Sequence, residues 1–436
     1  MRAYLLSTVF AFAAGTAALA APAVTVTEVK VPELPLASVS YPGGKSMDLN
    51  VGIGSAAWRD PKDPAGVIWT ITDRGPNLDC EGIDEITGLT IDKLCAGDDK
   101  AKNFPLPAFG ITIQKLEIGA DNTAKVLETV ALKGKSGKPV GGLPFSADGF
   151  TTEAAYDVDG KLLPGDPSGL DTETLARLPD GSFLIGEEYG ASLVEAAADG
   201  TVTKRHVPAG LEGALKDADY DVAGTLPAII AKRALNRGIE NVAVSADGAT
   251  VYILMQSPLA NPDNDAYKKS ANVRLWKMER ATGKVLGEYV YVMDDAKSFA
   301  ADNKKEEQKQ NAVRMSEMVS LGNDRLLVIE RISKTTKFYV VDLAGATALD
   351  AAMDDMSTSP SLEQMKAADL EAKGIKPVSK TLVLNSDDVE GGLPKKIEGV
   401  AVMSPTEMIV LNDSDFGIEG DKNQVRRVTF SEPVLQ

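Results

Sequence analysis

Arg237-Gly238-Ile239-Glu240-Asn241-Val242-Ala243-Val244-Ser245-Ala246-Asp247-Gly248-Ala249-Thr250-Val251-Tyr252-Ile253-Leu254-Met255-Gln256 holds two apolar runs around an Ala-Asp-Gly turn, with a glutamate at the start of the first run. Strand-forming residues on both sides of a tight-turn sequence read as an antiparallel hairpin. The pattern recurs. Thr172-Glu173-Thr174-Leu175 leads through Pro179-Asp180-Gly181 to Leu184-Ile185-Gly186-Glu187-Glu188. Ser316-Glu317-Met318-Val319 leads through Gly322-Asn323-Asp324 to Val328-Ile329-Glu330-Arg331, and Ile397-Glu398-Gly399-Val400 through Ser404-Pro405-Thr406 to Val410-Leu411-Asn412-Asp413. A degenerate copy upstream joins Ser55-Ala56-Ala57-Trp58 through Ile68-Trp69-Thr70-Ile71 to Thr72-Asp73-Arg74-Gly75.

In an antiparallel hairpin the start of the first strand and the end of the second lie at one end. Glu173 is therefore expected near Glu187, Glu317 near Glu330 and Glu398 near Asp413, all on one polar rim. The repeat glutamates at positions 173, 240, 317 and 398 stand 67, 77 and 81 residues apart, room for a four-stranded unit plus insertions. Further strand-like runs follow the hairpins at Gly110–Leu116, Val273–Met278, Phe338–Leu343 and Val425–Phe430. Four strands per unit predicts an all-β fold, a β-propeller of five or six four-stranded blades with short helical insertions. Five units are countable; the segment Pro144–Pro167 leaves a sixth open. A radial stack puts every first strand beside the central channel, so the glutamates converge on one opening.

Three insertions interrupt the strand rhythm. Leu226–Arg237 is apolar and basic at helical spacing, Asp294–Gln310 is highly charged, and Ser361–Lys373 begins with a capping-box pattern, Ser361 with Gln364. The first two precede inner strands, where they are expected either to overhang the rim or to lie as plain surface helices.

The N-terminus reads as an export signal: Arg2, an apolar stretch over Leu5–Leu19, and the small-residue pattern Ala18-Leu19-Ala20. Residues 1–20 are expected to be a signal peptide and 21–436 a single propeller domain, periplasmic or secreted. No later stretch is apolar enough to span a bilayer. With 44% hydrophobic and 25% charged residues the chain lies in the ordinary globular range. Its two cysteines, Cys80 and Cys95, are expected to pair in an oxidising compartment and to stiffen the rim beside Asp73 and Arg74. A formal charge of -17 argues against nucleic acid and anionic membranes as partners. A complete propeller has little need of a partner for stability, so a monomer without a membrane anchor is expected.

Converging carboxylates repel unless they are protonated, paired with bases or bound to a cation. Calcium suits a flexible set of oxygen ligands, whereas the scarcity of histidine and cysteine weighs against zinc and copper. The candidate ligands are Asp73, Glu173, Glu240, Glu317, Glu398 and Asp413, with Glu187 and Asn412 in reserve. A metal-free ring of Arg-Glu pairs is the alternative. Arg74, Arg237, Arg314, Arg331 and Lys396 stand near the repeat glutamates and are the candidate substrate-binding residues. A cation with interspersed bases suits a small anionic ester, because the ion activates water and polarises phosphoryl oxygen while the bases neutralise charge. On that reading Glu173, Glu240, Glu317 and Glu398 carry the catalysis.

Other chemistries fit less well. No Gly-x-Ser-x-Gly elbow is present, and the sole histidine, His206, sits in Lys204-Arg205-His206-Val207 at a strand edge. Gly141-Gly142 and Gly391-Gly392 lack the strand-to-helix setting of a phosphate loop. Glu187-Glu188 does not read as a glycosidase pair, since adjacent strand residues point to opposite faces.

Thr72-Asp73-Arg74-Gly75-Pro76-Asn77, Gly186-Glu187-Glu188-Tyr189-Gly190, Arg237-Gly238-Ile239-Glu240-Asn241, Ile397-Glu398-Gly399-Val400-Ala401 and Asn412-Asp413-Ser414-Asp415-Phe416-Gly417 resemble the phytase-like family with esterase-like activity. The resemblance spans the first hairpin to the last and implies a propeller with phosphomonoester or ester hydrolysis in the periplasm. A shorter likeness to calcium-dependent β-propeller phytases covers Asp60-Pro61-Lys62-Asp63-Pro64-Ala65 and Ile68-Trp69. The leading expectation is a calcium-dependent phosphoester hydrolase. Lactone or carboxylic-ester hydrolysis on the same carboxylates is the second reading, and a noncatalytic periplasmic binding module the third.

Overall fold

A computed structural model describes residues 22–147, 149–150 and 152–436; the expected signal peptide lies outside the described residues. Five antiparallel sheets carry the fold. Blade one comprises Ala56–Trp58, Val67–Ile71, Thr112–Ile118 and Ala124–Ala131. Blade two comprises Thr172–Arg177, Phe183–Glu187, Ser192–Ala196 and Val202–Pro208, with Asp221–Leu226 added in parallel at its outer edge. Blade three holds Asn241–Val244, Thr250–Leu254, Asn272–Glu279 and Lys284–Val292; blade four holds Arg314–Gly322, Arg325–Arg331, Thr336–Asp342 and Ser379–Asn385.

Blade five joins the two ends of the chain. Ile397–Ser404, Glu407–Asn412 and Val425–Phe430 are completed by the N-terminal strand Val24–Val29, paired from Val24 opposite Phe430 to Val29 opposite Val425. The innermost strands neighbour one another in cyclic order, from Ala56–Trp58 through each blade to Ile397–Ser404 and back to Ala56–Trp58. The result is a five-bladed β-propeller. The segment that left a sixth blade open instead contributes Ala155–Tyr156 to a small sheet with Lys102–Asn103 and Leu78–Asp79.

Local chemistry explains the hairpins. Gly322 pairs with Arg325, leaving a two-residue loop of Asn323 and Asp324 with φ of 54° and 59°. Successive left-handed residues make the type I′ turn whose twist matches the flanking strands, and Asn and Asp tolerate that conformation better than other side chains. Apolar residues on both faces of the inner strands pack blade against blade; Trp69 meets Phe183 edge to face at 5.4 Å between blades one and two. Each fully buried aliphatic residue of these layers contributes about 1.5–3 kcal/mol. Trp58, on the innermost strand of blade one, packs against three of the apolar clusters.

The insertions are less helical than their spacing suggests. The first forms only the 3₁₀ turn Ala228–Lys232, entered at Pro227 and followed by left-handed Asn236. The second forms short turns at Ala296–Ser298 and Gln310–Ala312. In the third, Gln364 accepts from the Ser361 N–H at 3.1 Å, and the helix Ala367–Ala372 follows. The first insertion reaches the mouth through Asn236, and a further segment stands beside it: helices Ile83–Thr87 and Ile91–Cys95, closed by the expected Cys80–Cys95 disulfide.

Candidate functional site

The mouth opens into a cavity of about 460 Å³. Asp73, Arg74, Glu173, Glu240, Arg314, Arg331, Lys396, Glu398 and Asp413 all line it, so the structure brings together nine of the residues singled out above. Glu317 and Arg237 are not among the lining residues. The disulfide-closed insertion supplies one wall through Glu81, Glu85 and Ile86.

Bulges aim the glutamates. In blade two Thr172 pairs with Glu187 and Thr174 with Gly186, so Glu173 is the extra residue of the inner strand. In blade five Ile397 pairs with Asn412 and Gly399 with Leu411, which makes Glu398 the extra residue. An inserted residue leaves the pleat and turns its side chain out of the ladder, a common device beside binding sites. Blade four has the same bulge one position earlier: Met315 pairs with Glu330 and Glu317 with Ile329, so Ser316 is extra. Glu317 therefore occupies the place of Thr174 and Gly399. A one-residue shift sends a strand side chain to the other face.

Glu317 consequently lies inside the scaffold. Its Oε1 accepts from the Thr174 hydroxyl at 2.8 Å and the Met318 N–H at 2.9 Å, and its Oε2 from the Ala57 N–H at 3.4 Å. It ties blades one, two and four together across the axis, and burial pushes its pKa well up. The sequence reading aligned it with the rim glutamates; the register corrects that placement. Arg237 donates to the Asn236 carbonyl.

The reserve ligands are structural too. Glu187, fully buried, accepts from the N–H groups of Asp171, Tyr189 and Gly190, from the Ser192 hydroxyl, and from Arg205 Nη2 at 2.6 Å. Asn412 holds the loop that follows it, accepting from the Gln424 N–H at 2.6 Å and donating to the Asp413 and Lys422 carbonyls. Glu330 accepts from Tyr291, Lys380 and the Asp294 N–H. Asp60 and Asp63 are held by Arg177, Lys115 and Trp69, away from the mouth.

The neighbour of Glu187 belongs to the cavity instead. Glu188 Oε1 accepts from Gln256 Nε2 at 2.9 Å, and the same amide donates to Glu240. Gly238 lies against the Glu188 backbone so closely that a Cβ would collide with it. Carboxylate oxygens of Asp171, Glu173 and Glu188 lie within 4.8 Å of one another. The glutamate repeat does not mark Asp171, Glu188 and Gln256 as site residues. The available signal was position: Glu188 and Gln256 follow second strands, and Asp171 stands just before the inner strand of blade two.

Bases stand among the acids of the mouth. Arg74 Nη1 lies 3.1 Å from Asp171 and 3.9 Å from Glu153, with its guanidinium 5.4 Å from the Tyr189 ring centre. Arg331 donates to Glu398 and to the Ser316 hydroxyl, and Lys396 to Asp415. Arg314 makes no hydrogen bond or ion pair among the described residues, and its Nε is buried without a partner.

Burial dominates the titration. It pushes Asp73 up to about 7 despite the Gly75 N–H and Arg74, with Asp415 and Glu398 adding to the rise. Burial, then Glu188 and Glu398, push Glu240 up to about 8. Burial followed by Asp171 and Glu240 raises Glu173 well above the carboxylate range, and burial with Asp415 does the same to Asp413. Burial and the like charges of Arg237 and Arg331 bring Arg314 down to about 10. Such groups hold protons, anions or cations at neutral pH. An all-oxygen set at this spacing fits calcium, with Arg74, 3.1 Å from Asp171, already offsetting part of its charge.

Comparison with known proteins gives three kinds of match. A family model, Phytase-like: Esterase-like activity of phytase, matches residues 51–416. An uncharacterized secreted protein of Arthroderma benhamiae is 25% identical over 275 residues, covering 56% of this chain and 51% of that relative. The chain thus spans about half the length of the curated relative it matches. Among solved structures, the PQQ-bound aldose sugar dehydrogenase of Streptomyces coelicolor is 6% identical, covering 94% of this chain and 100% of that one, with a TM-score of 0.33. Regucalcin, a calcium-binding protein of Agrobacterium tumefaciens, is 14% identical over 94% of this chain and 99% of its own, at 0.34.

Proposed function

This chain belongs to the phytase-like family, and from that premise we propose that its mouth hydrolyses a small anionic ester, foremost a phosphoester, outside the cytoplasm. One observation carries the reading. Arg314, which among the described residues makes no hydrogen bond or ion pair and whose Nε is buried without a partner, lines the same cavity as Glu173, Glu240 and Glu398. A cation left unpaired in a cavity with so many carboxylates is a ready seat for an anion, and guanidinium matches phosphate geometry with two parallel hydrogen bonds.

The remaining roles follow from the same groups. Arg331 and Lys396, held by Glu398 and Asp415, line the cavity with Arg314 and orient the anionic group. Glu240, buried at the cavity wall with Gln256 donating to it, is placed to exchange a proton with a leaving oxygen. Asp73, near 7, is poised to take a proton from an incoming water. Asp171, Glu173 and Glu188 offer the donor set for calcium, which when bound supplies a Lewis acid and a water of lowered pKa. The wall from the disulfide-closed insertion limits access to small substrates. Export to the periplasm or beyond accords with the disulfide and with the secreted relative.

The second reading, cleavage of a lactone or carboxylic ester, draws on the same carboxylates but has no need of Arg314. The test is phosphate release from phytate and an aryl phosphate by the mature protein, with calcium and with chelator, beside carboxylic-ester cleavage. Arg314→Gln should abolish the first and spare the second. Turnover that persists in chelator rejects the cation, and absence of phosphate release under every condition rejects the phosphoester.

A further inference from the structure

Two neutral amides stand among the charged groups of the mouth, and the oxygens of both lack a donor. Gln256 and Asn236 line the cavity, Gln256 is 1% exposed, and among the described residues neither Gln256 Oε1 nor Asn236 Oδ1 accepts a hydrogen bond. Buried side-chain acceptors in native proteins are almost always partnered, so two such oxygens on one cavity point to a ligand that donates to them.

The orientation of Gln256 is fixed by its surroundings. Its N–H donates to the Gly238 carbonyl at 3.2 Å, and its carbonyl accepts from the Met315 N–H at 3.0 Å, which pins it between blades three and four. The side-chain Nε2 gives its two hydrogens to carboxylates, Glu188 Oε1 at 2.9 Å and Glu240 Oε1. Turned over, the amide would set its oxygen against both acids, so Oε1 keeps its lone pairs for the cavity. Asn236 holds a left-handed backbone, φ 53°, which asparagine tolerates. The nearby guanidiniums are directed elsewhere: Arg237 to the Asn236 carbonyl, Arg74 to Asp171, and Arg331 to Glu398 and Ser316.

We propose that Gln256 and Asn236 select the alcohol part of the substrate, an ester whose alcohol carries free hydroxyl groups, as a small polyol or sugar monophosphate does. The hydroxyls donate to Gln256 Oε1 and Asn236 Oδ1 while the anionic group sits at Arg314. An ammonium group would be drawn to the carboxylates instead; a hydroxyl matches a neutral amide oxygen. A polyol esterified at every oxygen, such as phytate, brings no alcohol hydroxyl to these amides. This inference rests on the anionic-ester reading of the mouth and names the substrate class within it.

The experiment compares glycerol 2-phosphate with isopropyl phosphate, the same ester without its two hydroxyls, on the mature protein with calcium present. Phosphate release gives kcat/KM for each, and isothermal titration gives each dissociation constant. Glycerol 2-phosphate should be favoured by at least about tenfold, because the deoxy ester leaves both amide oxygens unpaired. Gln256→Met should bring that ratio below about threefold. Asn236→Gly, which keeps the left-handed backbone at little cost, should lower it too and serves where Gln256→Met does not fold. A general loss of structure slows both esters together and leaves the ratio alone, so an unchanged ratio in both variants overturns the assignment. Equal release from the two esters by the parent overturns the inference and leaves the phosphoester reading standing. Preferential binding of glycerol 2-phosphate without phosphate release upholds the inference and sinks the phosphoester reading, and failure to bind either ester overturns both.

Discussion

Glu187 and Glu188 are adjacent glutamates with opposite expected behaviour, and replacing each by glutamine separates scaffold from site. Glu187 is the acceptor for three backbone N–H groups, one hydroxyl and Arg205, whose side chain is itself wholly buried. Removing one partner of a buried ion pair costs about 3–5 kcal/mol, because the other charge is left uncompensated. Glutamine keeps the shape and one acceptor but turns an NH₂ toward existing donors, so about 3 kcal/mol is expected for Glu187→Gln, a large part of a total of about 5–15 kcal/mol. Glu188→Gln keeps an acceptor for Gln256 and relieves like-charge crowding. Its stability without calcium should match the parent or exceed it slightly. Calcium at a hundred times its dissociation constant should stabilise the parent by about 2.7 kcal/mol and Glu188→Gln far less. Urea unfolding with and without calcium reads both effects. Equal losses for the two variants, or a Glu187→Gln protein within about 1 kcal/mol of the parent, would refute the division between them.

Glu317→Ala removes the acceptor shared by Ala57, Thr174 and Met318; it should cost about 2–4 kcal/mol in urea unfolding while calcium affinity stays the same. Replacing Cys80 and Cys95 by serine opens a loop with a sequence separation of 15 and should cost about 3 kcal/mol, with a raised KM because the wall of the mouth loosens. Asp294 gives a pH test: burial opposes ionisation, but hydrogen bonds from Lys337, Lys380 and Tyr339 hold its carboxyl down at about 2. A carboxyl lowered in the folded state stabilises above its ordinary value and loses that contribution as pH falls from about 4 to about 2. Allowing for partial solvent screening, Asp294→Asn should flatten the acid limb of stability by about 1–2 kcal/mol.

Much of this molecule is legible in its residues. The hairpin repeat, its turns and the third strands predict the blades, because side-chain alternation and turn chemistry are local properties. The acidic opening and the cysteine pair were equally visible. The N-terminal strand in blade five was not, since nothing in Val24–Val29 indicates a partner at Val425–Phe430, at the other end of the chain. Nor was the orientation of each glutamate. Glu173 and Glu398 face the mouth because a bulge falls on them, and Glu317 faces the scaffold because the bulge falls on Ser316. A strand reverses its faces with every residue, so one inserted position, invisible in the repeat, decides whether a carboxylate meets solvent or backbone. Asp171 and Glu188 acquire their meaning only when folding sets them beside Glu173. The chain alone thus determined the blades and the charge of their common opening; strand register and the packing of distant segments decided which acids share it.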